Sequence, residues 1–538
     1  MKLTDFDSVV IKEFVLSMAA YLERNKNIVD ALNVFPVPDG DTGTNMNLTI
    51  QSAVREILDA SFTDLEQAAK AAANGSLLGA RGNSGVILSQ LLRGFSEGLK
   101  NKKEFNTYVV AHALKSASDT AYKAVMKPVE GTILTVARES AEKALEICEQ
   151  TDDFSEFLGI VIEQAKDALR RTPEMLDVLK QAGVVDAGGQ GFVYLLEGAL
   201  FYLKGERIED LVIESFEIKD TADEISHFSR EEDIIFAYCT EFIINKATVE
   251  QEDFLRIIEN KGDSIVCVKN DDLIKVHMHT NDPGYILGKA GKYGELINIK
   301  IDNMRQQFRD KQKEALKREF KRDTFIAIGM GEGIKKIFED LGVDVVITGG
   351  QTMNPSTEDI LNAVESVYCD NIFIFPNNSN IILAANQAKE ISNRNIFVIP
   401  TKTIPQGISA MLVYDETADP MENVVAMNDA ILNVKTGQVT FAVRDTVINE
   451  VEIKKDDIIA LYDSNIVCNG NDVAKQTLEL VFKMVEDEDS LITIIYGKDV
   501  DEQAAKEVAD KISEAYPDYD VEVIDGGQPL YYYIISVE

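Results

Sequence analysis

The sequence predicts a multidomain protein whose fold class changes twice along the chain: all-α first, α+β in the middle, α/β at the end. Three observations carry this. The chain has 538 residues, more than one hydrophobic core accommodates, so about two to four domains are expected. Apolar residues recur at helical spacing up to about residue 205. Beyond an acidic stretch, short β-branched runs alternate with helical segments instead.

Residues 1–205 form the first expected domain. Met46, Ile50, Val54 and Leu58 repeat every four residues, and the segments 84–100, 107–124, 131–149 and 189–204 have the same helical pattern. Glycine-rich turns at 39–43, 79–85, 130–131 and 188–191 open directly into helices. An up-and-down arrangement gathers such turns at one end, where backbone N–H groups and helix N-termini favour an anion.

Residues 206–233 read as a linker, since 217–233 is acidic and polar. In 234–302 the pattern gives a strand at 234–245, a helix at 250–260, strands at 264–269 and 272–280, a helix at 284–292 and a strand at 295–302. That βαββαβ order is the ferredoxin-like signature of an α+β middle domain. A connecting helix is expected over 303–322, where Lys and Arg alternate with Gln, Glu and Asp. Mixed charges suit a solvated helix face; the other reading is a docking surface for an acidic partner domain. Residues 323–538 form the α/β domain. There FIAIG (325–329), DVVIT (344–348), NIFIFP (371–376) and NIFVIP (395–400) read as parallel strands, and after about 435 the strands look more antiparallel.

The formal net charge of -37 argues against a nucleic-acid partner, which Lys and Arg hold by displacing counterions. Cys148, Cys239, Cys267, Cys369 and Cys468 stand singly, as in a cytosolic protein rather than a disulfide scaffold. Lys12, Glu13 and Glu23 interrupt the first apolar residues, so no signal peptide is expected, and no run is long enough to cross a bilayer. A cytoplasmic protein without a transmembrane segment is expected.

The segment Asn33-Val34-Phe35-Pro36-Val37-Pro38-Asp39-Gly40-Asp41-Thr42-Gly43-Thr44-Asn45-Met46 carries the most chemical information. Prolines hold the approach extended, and Asp39 and Asp41 then flank a glycine. Two hard carboxylates in one tight turn can converge on Mg²⁺, whose octahedron is completed by waters and substrate phosphates. The plainer reading is an Asp-Gly turn in which Asp41, Thr42 or Thr44 caps the helix carrying Met46. A second segment, Leu78-Gly79-Ala80-Arg81-Gly82-Asn83-Ser84-Gly85, is a glycine-rich turn at a helix start. Its amides and the Ser84 hydroxyl can cradle phosphate oxygens; close helix packing explains the glycines equally well. No Lys precedes Ser84 and no strand precedes the turn, so it is not a P-loop. The turns Val129-Glu130-Gly131-Thr132 and Val185-Asp186-Ala187-Gly188-Gly189-Gln190-Gly191 carry weaker signals of the same kind.

Together these turns, over residues 8–205, resemble the nucleotide-binding L subunit of dihydroxyacetone kinases (the DhaL type). The resemblance implies an antiparallel helical barrel that holds ATP through Mg²⁺ at one mouth. Asp39 and Asp41 are then the metal ligands and catalytic residues. Thr44, Asn45, Gly82, Asn83 and Ser84 contact phosphates, with Gly85, Gly131, Thr132 and Asp186 as further nucleotide contacts. That family's third metal-binding aspartate precedes the pair by five residues, whereas here the nearest polar residue is Asn33, one residue further back.

Two of only four histidines form His277-Met278-His279 on a predicted strand, where alternation puts both imidazoles on one face. In a ferredoxin-like sheet the first and third strands are neighbours, which brings Cys239 beside them. One thiolate and two imidazoles make three Zn²⁺ ligands, with a fourth position for water or a carboxylate. The plainer reading is two surface histidines and a buried cysteine.

Over its full length the chain resembles the kinase subunit of bacterial fatty acid kinase. The resemblance implies that a DegV-type fatty-acid-binding protein presents the acyl carboxylate and that the kinase subunit makes an acyl phosphate for phospholipid synthesis. It also implies zinc on Cys239, His277 and His279, a C-terminal domain that helps dock the carrier, and a homodimer. Two other functions stay open: a dihydroxyacetone-type kinase subunit, and a regulatory scaffold that binds nucleotide without turnover.

Overall fold

The computed structural model describes residues 8–538 apart from 34–39, 60–61, 63, 103–104, 126, 206–234, 271–272, 307–319, 351–352, 449–450, 464 and 488. The chain divides into two compact units, one of residues 1–213 together with 321–538 and the other of residues 214–320.

The first unit begins with helices α1 (Ser8–Ala31), α2 (Thr42–Asp59), α3 (Leu65–Leu78), α4 (Gly82–Gly98), α5 (Thr107–Ala124), α6 (Ile133–Ile147), α7 (Phe154–Met175), α8 (Asp177–Ala182) and α9 (Ala187–Leu203). Polar residues start several of them: Asp64, Asn106, Asp153 and Asp186 each accept a first-turn N–H, which satisfies donors the helix itself cannot. From α1 to α8 each helix packs on its predecessor, and α9 returns to α1, α6 and α7. The apolar faces so enclosed, Leu22, Ile50 and Phe157 among them, are fully buried. A cavity of about 150 Å³ with an almost wholly apolar lining remains at the centre.

The same unit ends in two sheets. β5 (Lys321–Gly329), β6 (Val345–Thr348), β7 (Cys369–Phe375) and β8 (Asn395–Val398) run parallel in the order β6-β5-β7-β8. β9 (Lys435–Phe441), β12 (Ile458–Tyr462), β13 (Asn465–Gly470), β14 (Leu491–Tyr496), β15 (Asp520–Asp525) and β16 (Tyr533–Val537) form a mixed sheet in the order β13-β12-β9-β16-β14-β15. β10 (Thr446–Ile448) and β11 (Val451–Ile453) make a separate hairpin. One apolar cluster joins the helical and α/β regions: Ala80 and Val86, flanking the glycine-rich turn, are buried with Ile326, Ile360 and Ala384.

The second unit has the order β1 (Tyr238–Asn245), α10 (Gln251–Ile258), β2 (Gly262–Asn270), β3 (Leu273–Thr280), α11 (Pro283–Ala290) and β4 (Glu295–Asn303). Its sheet is antiparallel throughout, ordered β2-β3-β1-β4. Alternation sends Phe242, Ile244, Ile274, Val276 and Met278 to the core with Phe254, Ile258 and Ile286, leaving Cys239, Glu241, His277 and His279 on the other face.

The expected helix over 303–322 falls mostly outside the described residues, and its last two positions are strand. Lys321 and Arg322 begin β5, with Lys321 paired to Cys369. The Arg322 guanidinium donates to the Glu416 and Ala418 carbonyls. A charge pattern that suits a helix is overridden here by pairing in the sheet.

Candidate functional site

The N-termini of α2 and α4 lie against each other, and most of the residues singled out in the sequence gather there. Asp41 is buried immediately before α2, and its carbonyl oxygen accepts from the Asn45 N–H at 2.7 Å. Its carboxylate Oδ2 accepts from the Asn354 Nδ2 at 2.7 Å. A carboxylate in this position faces the positive end of the helix dipole. The Thr42 hydroxyl donates to Asn33 Oδ1 at 2.9 Å. Asp39 lies outside the described residues.

Thr44 is tied to a residue that no motif in the sequence singles out. Its N–H and hydroxyl donate to the two Asp30 carboxylate oxygens at 3.0 and 2.8 Å. Asp30 sits in the last turn of α1, so two carboxylates stand at the start of α2 among the described residues.

Gly82 opens α4 at φ +58°, and a Cβ there would come within 2.7 Å of the Asn45 amide nitrogen. Only glycine meets both demands. Asn45 is buried beneath this turn. Gly85 packs on the Thr49 side chain and the Asn45 carbonyl. Asn83 is engaged from the α/β region, its Nδ2 donating to Asn380 Oδ1 at 3.1 Å.

Ser84 faces a cavity of about 210 Å³ that Asn33, Thr42, Thr132 and Asp186 also line. Four turns far apart in sequence therefore meet at one end of the helical region. Thr132 caps α6 through the Leu134 N–H. The neighbouring Gly131 has φ +85° and donates its N–H to the Thr135 hydroxyl. Glu130 holds this turn in shape: it accepts from Thr135, Tyr122 and Arg138, bonds that together keep its carboxyl below the usual range, the Thr135 bond foremost. Asp186 caps α9 by accepting from the Gly189 N–H at 2.7 Å. It keeps part of its surface toward the cavity, yet burial pushes its carboxyl up to about 6 against the pull of the Gly189 and Ile133 amides.

Helix N-termini and a tight glycine turn around one cavity suit a phosphate group, and of the described carboxylates Asp186 lines that cavity. Asp41, buried immediately before α2, and Asp30, bonded to Thr44, stand beside its Thr42 wall, where their chemistry suits a Mg²⁺ ion carried with such a phosphate.

The second unit holds a different cluster. Cys239 pairs with His279 and Glu241 with His277 in the β1–β3 register. The ligand atoms of Cys239, His277 and His279 lie within 4.8 Å of one another. Glu241 meets His277 Nδ1 at 2.8 Å and Asp263 meets His279 Nδ1 at 3.3 Å. Burial pushes the Cys239 thiol up, but its hydrogen bonds with His277 and His279 outweigh that and hold it below its ordinary range. A thiolate with two imidazoles, each imidazole oriented by a carboxylate, is a donor set that fits zinc.

Family models match almost the whole chain in three pieces: a DAK2 domain over 36–201, the middle domain of FakA-like fatty acid kinase proteins over 235–311, and the C-terminal domain of the same FakA-like proteins over 324–538. Protein YloV of Bacillus subtilis (strain 168) is 44% identical over 556 residues, covering 100% of both chains. The chain belongs to the FakA-like family of fatty acid kinase proteins. Another relative of this FakA-like chain, an uncharacterized protein of Staphylococcus aureus (strain MRSA252), is 43% identical over 542 residues and 98% of each chain. Among solved structures, a DegV family protein from Corynebacterium glutamicum matches at 13% identity, 40% of this chain, 97% of that chain and a TM-score of 0.32. The Streptococcus pneumoniae Fatty Acid Kinase (Fak) B3 protein loaded with linoleic acid matches at 13% identity, 40% of this chain, 99% of that chain and a TM-score of 0.29. Among the described residues, no helix of this family member is long and apolar enough to cross a membrane.

Proposed function

We propose that the chain is the ATP-dependent kinase subunit of a fatty acid kinase. It transfers the γ-phosphate of ATP to the carboxylate of a fatty acid presented by a DegV-type fatty-acid-binding protein, giving an acyl phosphate for phospholipid synthesis. The observation that carries this reading is the meeting of Thr42, Ser84, Thr132 and Asp186 around one cavity, beside a buried Asp41, in a FakA-like chain.

In this reading the amides of the 82–85 turn and the starts of α4, α6 and α9 bind the nucleotide phosphates, with Thr44, Asn45, Asn83, Ser84 and Thr132 as polar contacts. Asp39 and Asp41 hold magnesium, and Asp30 stands with Asp41 at the start of α2. When bound, magnesium neutralises charge on the transferring phosphoryl group. The acyl carboxylate, whose pKa of ~4.3 resembles that of Glu, is already ionised at neutral pH. Its oxygen forms the new bond to the γ-phosphorus as the bond to the bridging oxygen breaks and ADP leaves with that electron pair. No proton moves, so the chain's residues have only to bind, align and exclude water.

Cys239, His277 and His279 hold zinc and organise the middle domain. The C-terminal domain helps to dock the carrier, and the protein works in the cytoplasm as a homodimer. The test is transfer of labelled γ-phosphate from MgATP to oleate on a DegV-type carrier, to free oleate and to dihydroxyacetone. Carrier-dependent acyl phosphate is expected. Transfer to dihydroxyacetone alone, or to none of the three, would overturn the proposal.

A further inference from the structure

The segment that follows β6 leaves its sheet and lies across the glycine-rich turn of the helical region. Ser356 makes an antiparallel bridge with Arg81, and the Thr357 N–H donates to the Ala80 carbonyl at 3.1 Å. Arg81 Nη1 in return donates to the Asn354 carbonyl at 2.9 Å and lies 3.2 Å from Asp359 Oδ2. With Ala80 and Val86 buried in the α/β core, the turn belongs to both regions.

Asn354 is held at the centre of this contact, with 1% of its surface exposed. Its Nδ2 reaches across to Asp41 Oδ2, and Gly82 is close enough that a Cβ there would lie 3.5 Å from the same nitrogen. Asn354 Oδ1 is buried and has no hydrogen-bond partner among the described residues; neither has Asn83 Oδ1, one residue from Gly82. Buried acceptors without donors are uncommon in folded proteins. Asn354 Oδ1, on the same amide that holds the buried Asp41 carboxylate, marks a place where donors arrive with a ligand. A magnesium ion, which keeps several of its waters, brings such donors.

We infer that the C-terminal α/β region completes the nucleotide site, with Asn354 as a positioning residue for Asp41. The Asn354 amide nitrogen fixes one carboxylate oxygen of Asp41, and its Oδ1 receives a water of the hydrated metal. An amide suits this place where a carboxylate would not, since Asp at 354 would set like charges together. The site is then assembled only while the two regions are docked. That couples the C-terminal domain to nucleotide binding through Asn354, with the Asn83–Asn380 hydrogen bond as a second link. This inference rests on the cavity being a nucleotide site.

Gln387 provides a control. It is buried in the same contact, and its side chain hydrogen-bonds with the Leu77 carbonyl at 2.5 Å and with Ser89, Gln90 and Thr357, none of which lines the cavity. Calorimetric titration of the full-length chain with MgADP, and with Mg²⁺ at fixed ADP, tests the inference alongside thermal melting of each nucleotide-free variant. Asn354→Ala is expected to raise the Kd for MgADP about ten-fold, the loss of one hydrogen bond to a charged group, and to raise the Mg²⁺ concentration needed for half-saturation. Its melting temperature should fall no further than that of Gln387→Ala, which should bind MgADP as the wild type does. Asn354→Asp keeps the shape and should lose more affinity than Asn354→Ala; it decides the matter should the alanine variant not fold. Wild-type affinity in a folded Asn354→Ala, or in Asn354→Asp, would overturn the inference, as would equal losses in the Asn354 and Gln387 variants. Failure of the wild-type chain to bind MgADP would instead overturn the nucleotide reading on which it stands.

Discussion

Cys239 stands directly opposite His279 in the β1–β3 ladder, and two residues along Glu241 stands opposite His277. Pairing and alternation together put a thiol, two imidazoles and a carboxylate on one face of a small sheet. A bound zinc adds its binding free energy to the stability of this unit. Protein purified without chelators is expected to contain zinc close to one ion per chain by elemental analysis. Cys239→Ser and His279→Ala should lose most of it and lower the melting temperature of the middle domain. Zinc-free wild-type protein, or variants that keep the metal, would remove the assignment.

Asp41→Asn separates the fold of the site from its chemistry. The first hydrogen bond of α2 uses the Asp41 carbonyl, which an asparagine retains, and an Asn at 41 still accepts from Asn354. The lost charge is the one proposed for magnesium. Transfer to carrier-bound oleate should drop by about 100-fold or more, with an unchanged circular dichroism spectrum. The same holds for Asp39→Asn. Normal turnover in both would sink the magnesium assignment.

Gly43 is expected to tolerate no side chain. It sits in the first turn of α2, where a Cβ would overlap the Lys26 carbonyl oxygen and come 2.9 Å from Val29 Cβ on α1. Gly43→Ala should cost about 1–3 kcal/mol through forced separation of the two helices. Gly159, on α7 with nothing within 4 Å of its would-be Cβ, is the contrast: Gly159→Ala should stabilise by about 0.5–1 kcal/mol. Urea unfolding followed by circular dichroism measures both. Equal effects at the two positions would contradict the close approach of α1 and α2.

What could be read in advance follows the range of the interaction. The approach of Cys239 to His277 and His279 is legible because strand alternation is local and the βαββαβ order fixes which strands adjoin. The glycine turns are legible as helix starts for the same reason. Asp30 was not, because its contact with Thr44 depends on where α1 crosses α2, and no spacing rule encodes that crossing. Asn354 lies 313 residues from Asp41; nothing near either residue announces the pairing. Lys321 and Arg322 misled in the opposite way, since their helix-compatible charge pattern yields to sheet pairing.

Asp186 gives the site a pH signature. Its folded pKa of about 6 lies above the ~3.9 of an unfolded aspartate. Between those values the unfolded chain binds fewer protons than the folded one, so stability falls as pH rises. The contribution of Asp186 is fully present below about pH 4, is lost as pH rises through about 6, and stays lost above it. Asn in this position still accepts the Gly189 N–H that caps α9, but carries no charge to desolvate. Asp186→Asn should therefore melt higher than wild type at pH 7–8, with the gap closing as pH falls toward 4. Melting curves for both proteins across that range measure it. A gap that did not change with pH would mean that the Asp186 carboxyl titrates alike in the folded and unfolded chain, and that burial does not raise its pKa.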